Sequence, residues 1–116
     1  MQELKERLRD FAKERNWDKY HSPKNLVMAL MGEVGELTEI FQWLTDEESK
    51  LKNLDDKDVL RVKEEIADVF LYLLRLCDKL DIDLIHEANN KIDINAVKYP
   101  VELSKNNAVK YNLRDE

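Results

Sequence analysis

The stretch PKNLVMALMGEVGELTEIFQWL, residues 23–44, has the apolar period of a long helix. Ser22 ahead of Pro23 is typical of an N-cap followed by proline at the first helical position. Both glycines of the chain, Gly32 and Gly35, lie inside this segment, each directly before a glutamate. Because glycine costs a helix about 1 kcal/mol relative to alanine, packing alone does not explain them. The period predicts one buried stripe: Leu26, Leu30, Val34, Leu37, Phe41 and Leu44.

Three further segments have a helical period. They are predicted at about 2–15, 58–80 and 84–99, and Pro100 ends the last of them. From Ile66 to Leu76 the third helix is apolar on nearly every side, which is typical of a bundle interior or a subunit interface. The sequence therefore predicts one all-α domain over 1–116, a four-helix-bundle-type subunit. A polar connection is expected at 45–57 and a C-terminal arm at 101–116.

Composition restricts the class of protein and of partner. Charged residues make up 38% of the chain and the net charge is −6, so no basic stripe is available for a nucleic-acid polymer. No run reaches the roughly 18 apolar residues that a membrane span needs. The N-terminal segment is charged and amphipathic, unlike a signal peptide, and Cys77 is the only cysteine. We expect a cytoplasmic protein with neither a nucleic-acid nor a membrane partner.

Two pairs of carboxylates lie on the second and third predicted helices. Residues three apart share a helix face, because each residue advances about 100° around the axis. Glu33 and Glu36 therefore point the same way, and so do Glu65 and Asp68. If the two faces meet, four carboxylates converge in an apolar bundle. Trp43 lies two turns after Glu36 and near the same line along its helix. Tyr72 lies two turns after Glu65 on the other helix, again near the same line.

Four converging carboxylates require a cation, because like charges at close range in a low dielectric would otherwise be protonated. Ligands that are all oxygen favour Mg²⁺, with Mn²⁺ as the second choice, and Mg²⁺ is usually shared between carboxylates, water and substrate phosphates. Glycines would then let a neighbouring helix, a phosphate or a hydrated metal come close. Spacing alone leaves a second interpretation open, in which both acidic pairs face water and the glycines only allow a close helix crossing.

The chain resembles the MazG-like all-α nucleoside triphosphate pyrophosphohydrolases. GEVGE (32–36) and EEIAD (64–68) resemble the E-x-x-E and E-x-x-D signature of that family. Residues 9–43, which include NWDKYHSPKNL and FQW, are similar to its dCTP pyrophosphatase branch, as are KIDINAVKYP (91–100) and the pair Lys110 and Tyr111. Leu8 is a departure, because relatives close to the vertebrate enzymes have a histidine there; this bears on base and sugar discrimination.

The resemblance implies hydrolysis of a nucleoside triphosphate, with dCTP expected, to a monophosphate and pyrophosphate with Mg²⁺. It implies four metal ligands that are also the catalytic carboxylates: Glu33, Glu36, Glu65 and Asp68. The substrate contacts it implies are Trp17, Asp18, Lys19, Tyr20, His21, Trp43, Tyr72, Lys91 and Asn95.

The predicted assembly is a homodimer or a dimer of dimers, since the apolar third helix exceeds what one small subunit covers. No serine–histidine or cysteine–histidine pair suggests a covalent intermediate, so direct attack by water is expected, with Glu33 or Glu36 as the base. Two alternatives stay open: a non-catalytic helical interaction module, and an enzyme of this class that acts on other or damaged deoxynucleotides.

Overall fold

The structure is a computed structural model that describes residues 1–108. It contains four long helices and one short one: α1 (Gln2–Glu14), α2 (Pro23–Phe41), α3 (Asp56–Lys79), α4 (Leu84–Lys98) and α5 (Val101–Ser104). Two 3₁₀ turns connect them, at Asp18–Tyr20 and Leu51–Asn53, and residues 1–108 contain no strand. The predicted all-α class and the four helices are confirmed. None of the helices in this range is long and apolar enough to cross a membrane.

Polar side chains set where α2 and α3 begin. Ser22 Oγ accepts a hydrogen bond from the Asn25 amide at 3.1 Å, so the predicted N-cap before Pro23 is confirmed. Asp55 does the same for α3, accepting from the Asp58 amide at 2.8 Å. Because this cap satisfies an amide that the helix itself cannot, α3 begins at Asp56 rather than at the predicted residue 58.

The end of α2 differs from the prediction. The helix ends at Phe41 rather than at residue 44, although the apolar period continues. Thr45 and Glu48 form a reciprocal pair just beyond it: the Thr45 amide donates to Glu48 Oε1 at 2.9 Å and the Glu48 amide donates to Thr45 Oγ1 at 3.2 Å. This arrangement is that of a capping box, which starts a new turn. Trp43 therefore lies in the connection and not on the helix.

The chain divides into two compact units, Met1–Asp81 and Ile82–Glu116, which we describe separately. In the first unit α2 packs along α3, and α1 packs against α3. The second unit contains α4, none of whose residues is buried. A single domain with a C-terminal arm stays a prediction, and Lys110 and Tyr111 lie outside the described residues. The buried apolar side chains of the first unit are Ala12, Leu26, Ile40, Leu74 and Cys77.

Candidate active site

Three carboxylates from two helices meet where α2 packs against α3. One oxygen each of Glu33, Glu36 and Glu65 lies within 4.8 Å of the others; we call these three residues the acidic cluster. The predicted meeting of the two acidic faces is confirmed for them. Glu33 Oε2 and Glu65 Oε2 are buried and accept no hydrogen bond from any residue in the range 1–108. Since buried oxygens nearly always have a partner, this donor set fits a hard divalent cation.

Asp68, the fourth predicted ligand, lies one helical turn after Glu65 and outside this group of close oxygens. Its charge still acts on the acidic cluster. Burial, the adjacent carboxyl of Glu65 and the charges of Glu36 and Asp68 together raise the pKa of Glu33 to about 7. The adjacent carboxyl of Glu33 lowers the pKa of Glu65, but burial and the interactions with Glu36 and Asp68 outweigh it, so that this pKa is also raised. The acidic cluster therefore tends to hold a proton where no cation is bound.

A pocket of about 500 Å³ opens beside Asp68 in the first unit. The rings of Phe11 and Trp17 meet edge to face in its wall, with centroids 5.8 Å apart. Burial, followed by the charges of Glu33 and Asp68, raises the pKa of Tyr72, so its hydroxyl keeps its proton. The pocket thus places aromatic walls next to a carboxylate. Its apolar and aromatic lining includes Leu4, Leu8, Phe11, Trp17, Leu71 and Tyr72, and its polar lining includes Arg7, His21, Asp68 and Arg75.

The residues of the predicted substrate segment 17–21 occupy different places. Trp17 and His21 line the pocket. Asp18 instead accepts hydrogen bonds from α3, and the Tyr20 side chain is exposed, with Lys19 Nζ lying 5.2 Å from its ring centroid. The segment therefore brings its two ends to the pocket and uses Asp18 to attach its middle to α3.

The positions of three other predicted substrate contacts do not test the roles predicted for them; the three are Trp43, Lys91 and Asn95. Trp43 is 86% exposed and therefore does not belong to the core of this chain. Lys91 and Asn95 are exposed residues of α4, in the second unit. Their roles stay predictions.

The two glycines face open space. A Cβ atom built on Gly32 or on Gly35 would meet no described atom within 4 Å. No helix within residues 1–108 therefore comes close to these glycines. The expectation that a phosphate, a hydrated metal or a helix of another chain comes close stays a prediction.

Arg75 is the residue of this site that the sequence analysis missed. It is on α3, only 6% exposed, and lines the pocket. Its Nη2 donates to Asp18 Oδ1 at 2.8 Å and its Nε to His21 Nδ1 at 3.3 Å, while Nη1 lies 3.5 Å from Asp78 Oδ2. Arg9 of α1 also donates to Asp78 Oδ2, at 2.7 Å. A single basic residue within the apolar run VFLYLLRLC was the signal that could have identified it.

Comparison with known families gives a match over the residues that carry this site. A family model described as MazG-like matches residues 30–113. The chain belongs to the MazG-like family. The matched range includes the acidic cluster and Asp68, so the four predicted ligands all lie in the part of the chain that defines this MazG-like membership.

Individual relatives agree with the family assignment. The chain is 43% identical over 102 residues to dCTP pyrophosphatase 1 of Rattus norvegicus and 41% identical to that of Homo sapiens, in each case covering 88% of this chain. It spans 60% of the length of these relatives. The crystal structure of a pyrophosphatase from Archaeoglobus fulgidus is 45% identical, with a TM-score of 0.79 and coverage of 86% of this chain and 92% of that one.

Proposed function

We propose that this chain is a Mg²⁺-dependent nucleoside triphosphate pyrophosphohydrolase whose preferred substrate is dCTP. The observation that carries the proposal is the aromatic pocket lined by Asp68, one helical turn from Glu65, whose buried oxygen, like that of Glu33, has no donor within the described range. An aromatic wall suits a nucleobase, and carboxylates suit the metal that accompanies a triphosphate. The names of the mammalian relatives and of the archaeal pyrophosphatase support the same reaction.

In the proposed reaction, water adds to phosphorus at the link between the α and β phosphates, and the P–O bond to pyrophosphate breaks. Glu33, Glu36, Glu65 and Asp68 would hold Mg²⁺, which supplies charge neutralisation on the phosphates and a lower pKa for bound water. Glu33 or Glu36 accepts the proton of the attacking water. Trp17, His21 and Tyr72 orient the nucleoside, and Trp43, Lys91 and Asn95 are proposed as further contacts to base and phosphates.

The test is release of pyrophosphate from dCTP by the purified protein, with Mg²⁺ or with excess chelator. We expect Asp68→Asn to lower kcat at least a hundredfold, or about 2.7 kcal/mol in barrier height, because a ligand of the metal is lost. Glu39→Gln is the control: it removes an exposed acid of α2 that lies about 120° around the helix from Glu33 and outside the acidic cluster. Full turnover in chelator, or equal losses in both variants, would contradict the proposal.

A panel of nucleoside triphosphates under one condition tests the substrate. We expect dCTP to have the highest kcat/KM. A flat profile would instead favour a broad or damaged-nucleotide activity, and no hydrolysis of any member would favour the interaction module. Leu8 lies in the pocket wall, and its apolar side chain offers no hydrogen bond to base or sugar. The panel therefore measures how well the pocket distinguishes bases and sugars without such a bond.

We also propose that the chain assembles with itself, as a homodimer or a dimer of dimers. Large apolar side chains are exposed on α2, α3 and α4, in both units: Met28, Met31, Leu60, Ile66, Ile92 and Val97. Exposed apolar patches of this kind are typical of protein–protein contact surfaces. The open space at Gly32 and Gly35 is compatible with a second chain that packs there.

A further inference from the structure

The guanidinium of Arg75 is held in a fixed position by three side chains. Asp18 accepts from Nη2, Asp78 lies beside Nη1, and His21 Nδ1 accepts from Nε. Each of the three guanidinium nitrogens therefore has a different neighbour. Because the fork is planar and its donors are rigidly placed, the position of one neighbour restricts that of the others.

The contact between Arg75 and His21 decides which ring nitrogen of the histidine carries the proton. An arginine nitrogen can only donate, because the guanidinium has no acceptor and does not lose its charge in proteins. Nδ1 of His21 must therefore offer its lone pair. A neutral imidazole has one N–H, so the proton lies on Nε2. The ring then has one donor left for a molecule in the pocket that it lines.

We infer that Arg75 is a positioning residue that holds His21 as the neutral tautomer with hydrogen on Nε2. His21 then acts as a fixed hydrogen-bond donor to an acceptor oxygen of a bound nucleotide. The nucleotide part of this inference rests on the proposed function, whereas the tautomer does not. A histidine that donates from Nε2 selects carbonyl, hydroxyl or phosphate oxygens and disfavours an amino group at the same place.

The charges around His21 favour the same state. Burial, then the positive charges of Arg75 and Lys79, lower the pKa of His21, and only Asp18 opposes them. Lys79 is a useful contrast to Arg75, because it also donates to Asp18 but makes no hydrogen bond to His21 among the described contacts. Arg75 and Lys79 therefore both lower the pKa of His21, but among the described contacts only Arg75 donates a hydrogen bond to its ring.

Nuclear magnetic resonance of ¹⁵N-labelled protein without nucleotide tests the tautomer directly. The chain has two histidines, so a His86→Gln variant leaves the His21 ring as the only imidazole signal. We expect Nδ1 to have the shift of an unprotonated nitrogen and Nε2 that of an N–H at pH 7. In Arg75→Met the difference between the two shifts should shrink towards that of a free histidine. Lys79→Met is the matched control and should keep the Nε2–H tautomer of the neutral ring, since it removes a charge but no hydrogen bond to His21.

Three results would overturn the inference. They are a proton on Nδ1 in the parent protein, a difference between the two shifts that does not shrink in Arg75→Met, and His21 signals that stay the same when dCTP and Ca²⁺, as a slow substitute metal, are added. The first is read without any variant, so the test holds even if Arg75→Met fails to fold. In kinetics, Arg75→Met should raise KM at least tenfold with a smaller change in kcat, and Lys79→Met should raise it less. Absence of dCTP hydrolysis in the parent would contradict the proposed function while leaving the tautomer result intact.

Discussion

At Glu33, the raised pKa sets the direction of a pH effect on stability. The ordinary pKa is 4.5, and in the folded chain without metal it is about 7. Between these values the folded chain keeps a proton that the unfolded chain releases. This contribution to the free energy of unfolding is therefore present at low pH and is lost as the pH rises from about 4.5 towards 7.

We expect the melting temperature in excess chelator to fall over that pH range, and Glu33→Gln to reduce the fall because glutamine does not ionise. Saturating Mg²⁺ should give the opposite trend, since a cation binds the ionised carboxylates. Thermal melts from pH 4.5 to 8, with Glu39→Gln as a control that keeps the slope of the parent, check this. A melting temperature in chelator that rises through the range would contradict it.

Trp43 is 86% exposed, and this separates its contribution to folding from its contribution to binding. Loss of an exposed side chain usually changes the free energy of unfolding by less than about 0.5 kcal/mol. Loss of a base-stacking ring costs about 1–3 kcal/mol in binding, or roughly ten- to a hundredfold in affinity. We therefore expect Trp43→Ala to raise KM for dCTP by that factor with a smaller change in kcat.

Steady-state kinetics of Trp43→Ala beside Gln42→Ala, its exposed neighbour, provide the measurement. An unchanged KM would remove Trp43 from the site and leave Trp17 as the aromatic that recognises the base.

The meeting of the acidic faces of α2 and α3 could be predicted from the sequence, whereas the contacts of Arg75 could not. Glu33 and Glu36 share a face through helix geometry alone, and only one further assumption, that α2 meets α3, adds Glu65. The contacts of Arg75 join it to Asp18, 57 positions away, through the turn of the chain between α1 and α2. No local period encodes such a contact, because it depends on how the segments pack.

At the level of helices, Gly35 gives a test of what covers the open face of α2. An alanine methyl there meets no described atom within 4 Å, and alanine is the better helix former by about 1 kcal/mol. We expect Gly35→Ala to raise the free energy of unfolding by up to about 1 kcal/mol, measured by urea denaturation in chelator. A loss of stability would show instead that a second chain packs against this glycine.

Helix positions were predictable because period and caps agree, as at Ser22 and Pro23. The largest difference is at the end of α2, where the apolar period runs on to Leu44 but the helix stops at Phe41. Thr45 and Glu48 satisfy each other's amides there, and this local pairing prevails over the period. Hydrophobic spacing says where a helix is able to pack, while the hydrogen bonds of the ends decide where it stops.

For the whole molecule, the exposed apolar residues lead to a prediction of the mass of the assembly in solution. Light scattering at micromolar concentration should give two or four times the mass of one chain. Ile92→Asp should lower that mass, because Ile92 is 65% exposed on α4 and a charge would be costly in a contact. Glu87→Lys, about 140° around the same helix, is the control and should leave the mass unchanged. A monomer in the parent protein would contradict the proposed assembly.

The buried oxygens of Glu33 and Glu65, which accept no hydrogen bond from a described residue, have a consequence for the evolution of this chain. Apolar side chains of similar shape would fold better at both positions, since they would neither repel each other nor leave buried polar atoms without a hydrogen bond. A lineage that no longer needs the proposed reaction should therefore lose these two acids early, through substitutions that raise the stability of the protein. Leu26 and Leu74, which are fully buried, should outlast them. Descendants that have lost both acids but kept both leucines would have retained the fold after losing the proposed activity.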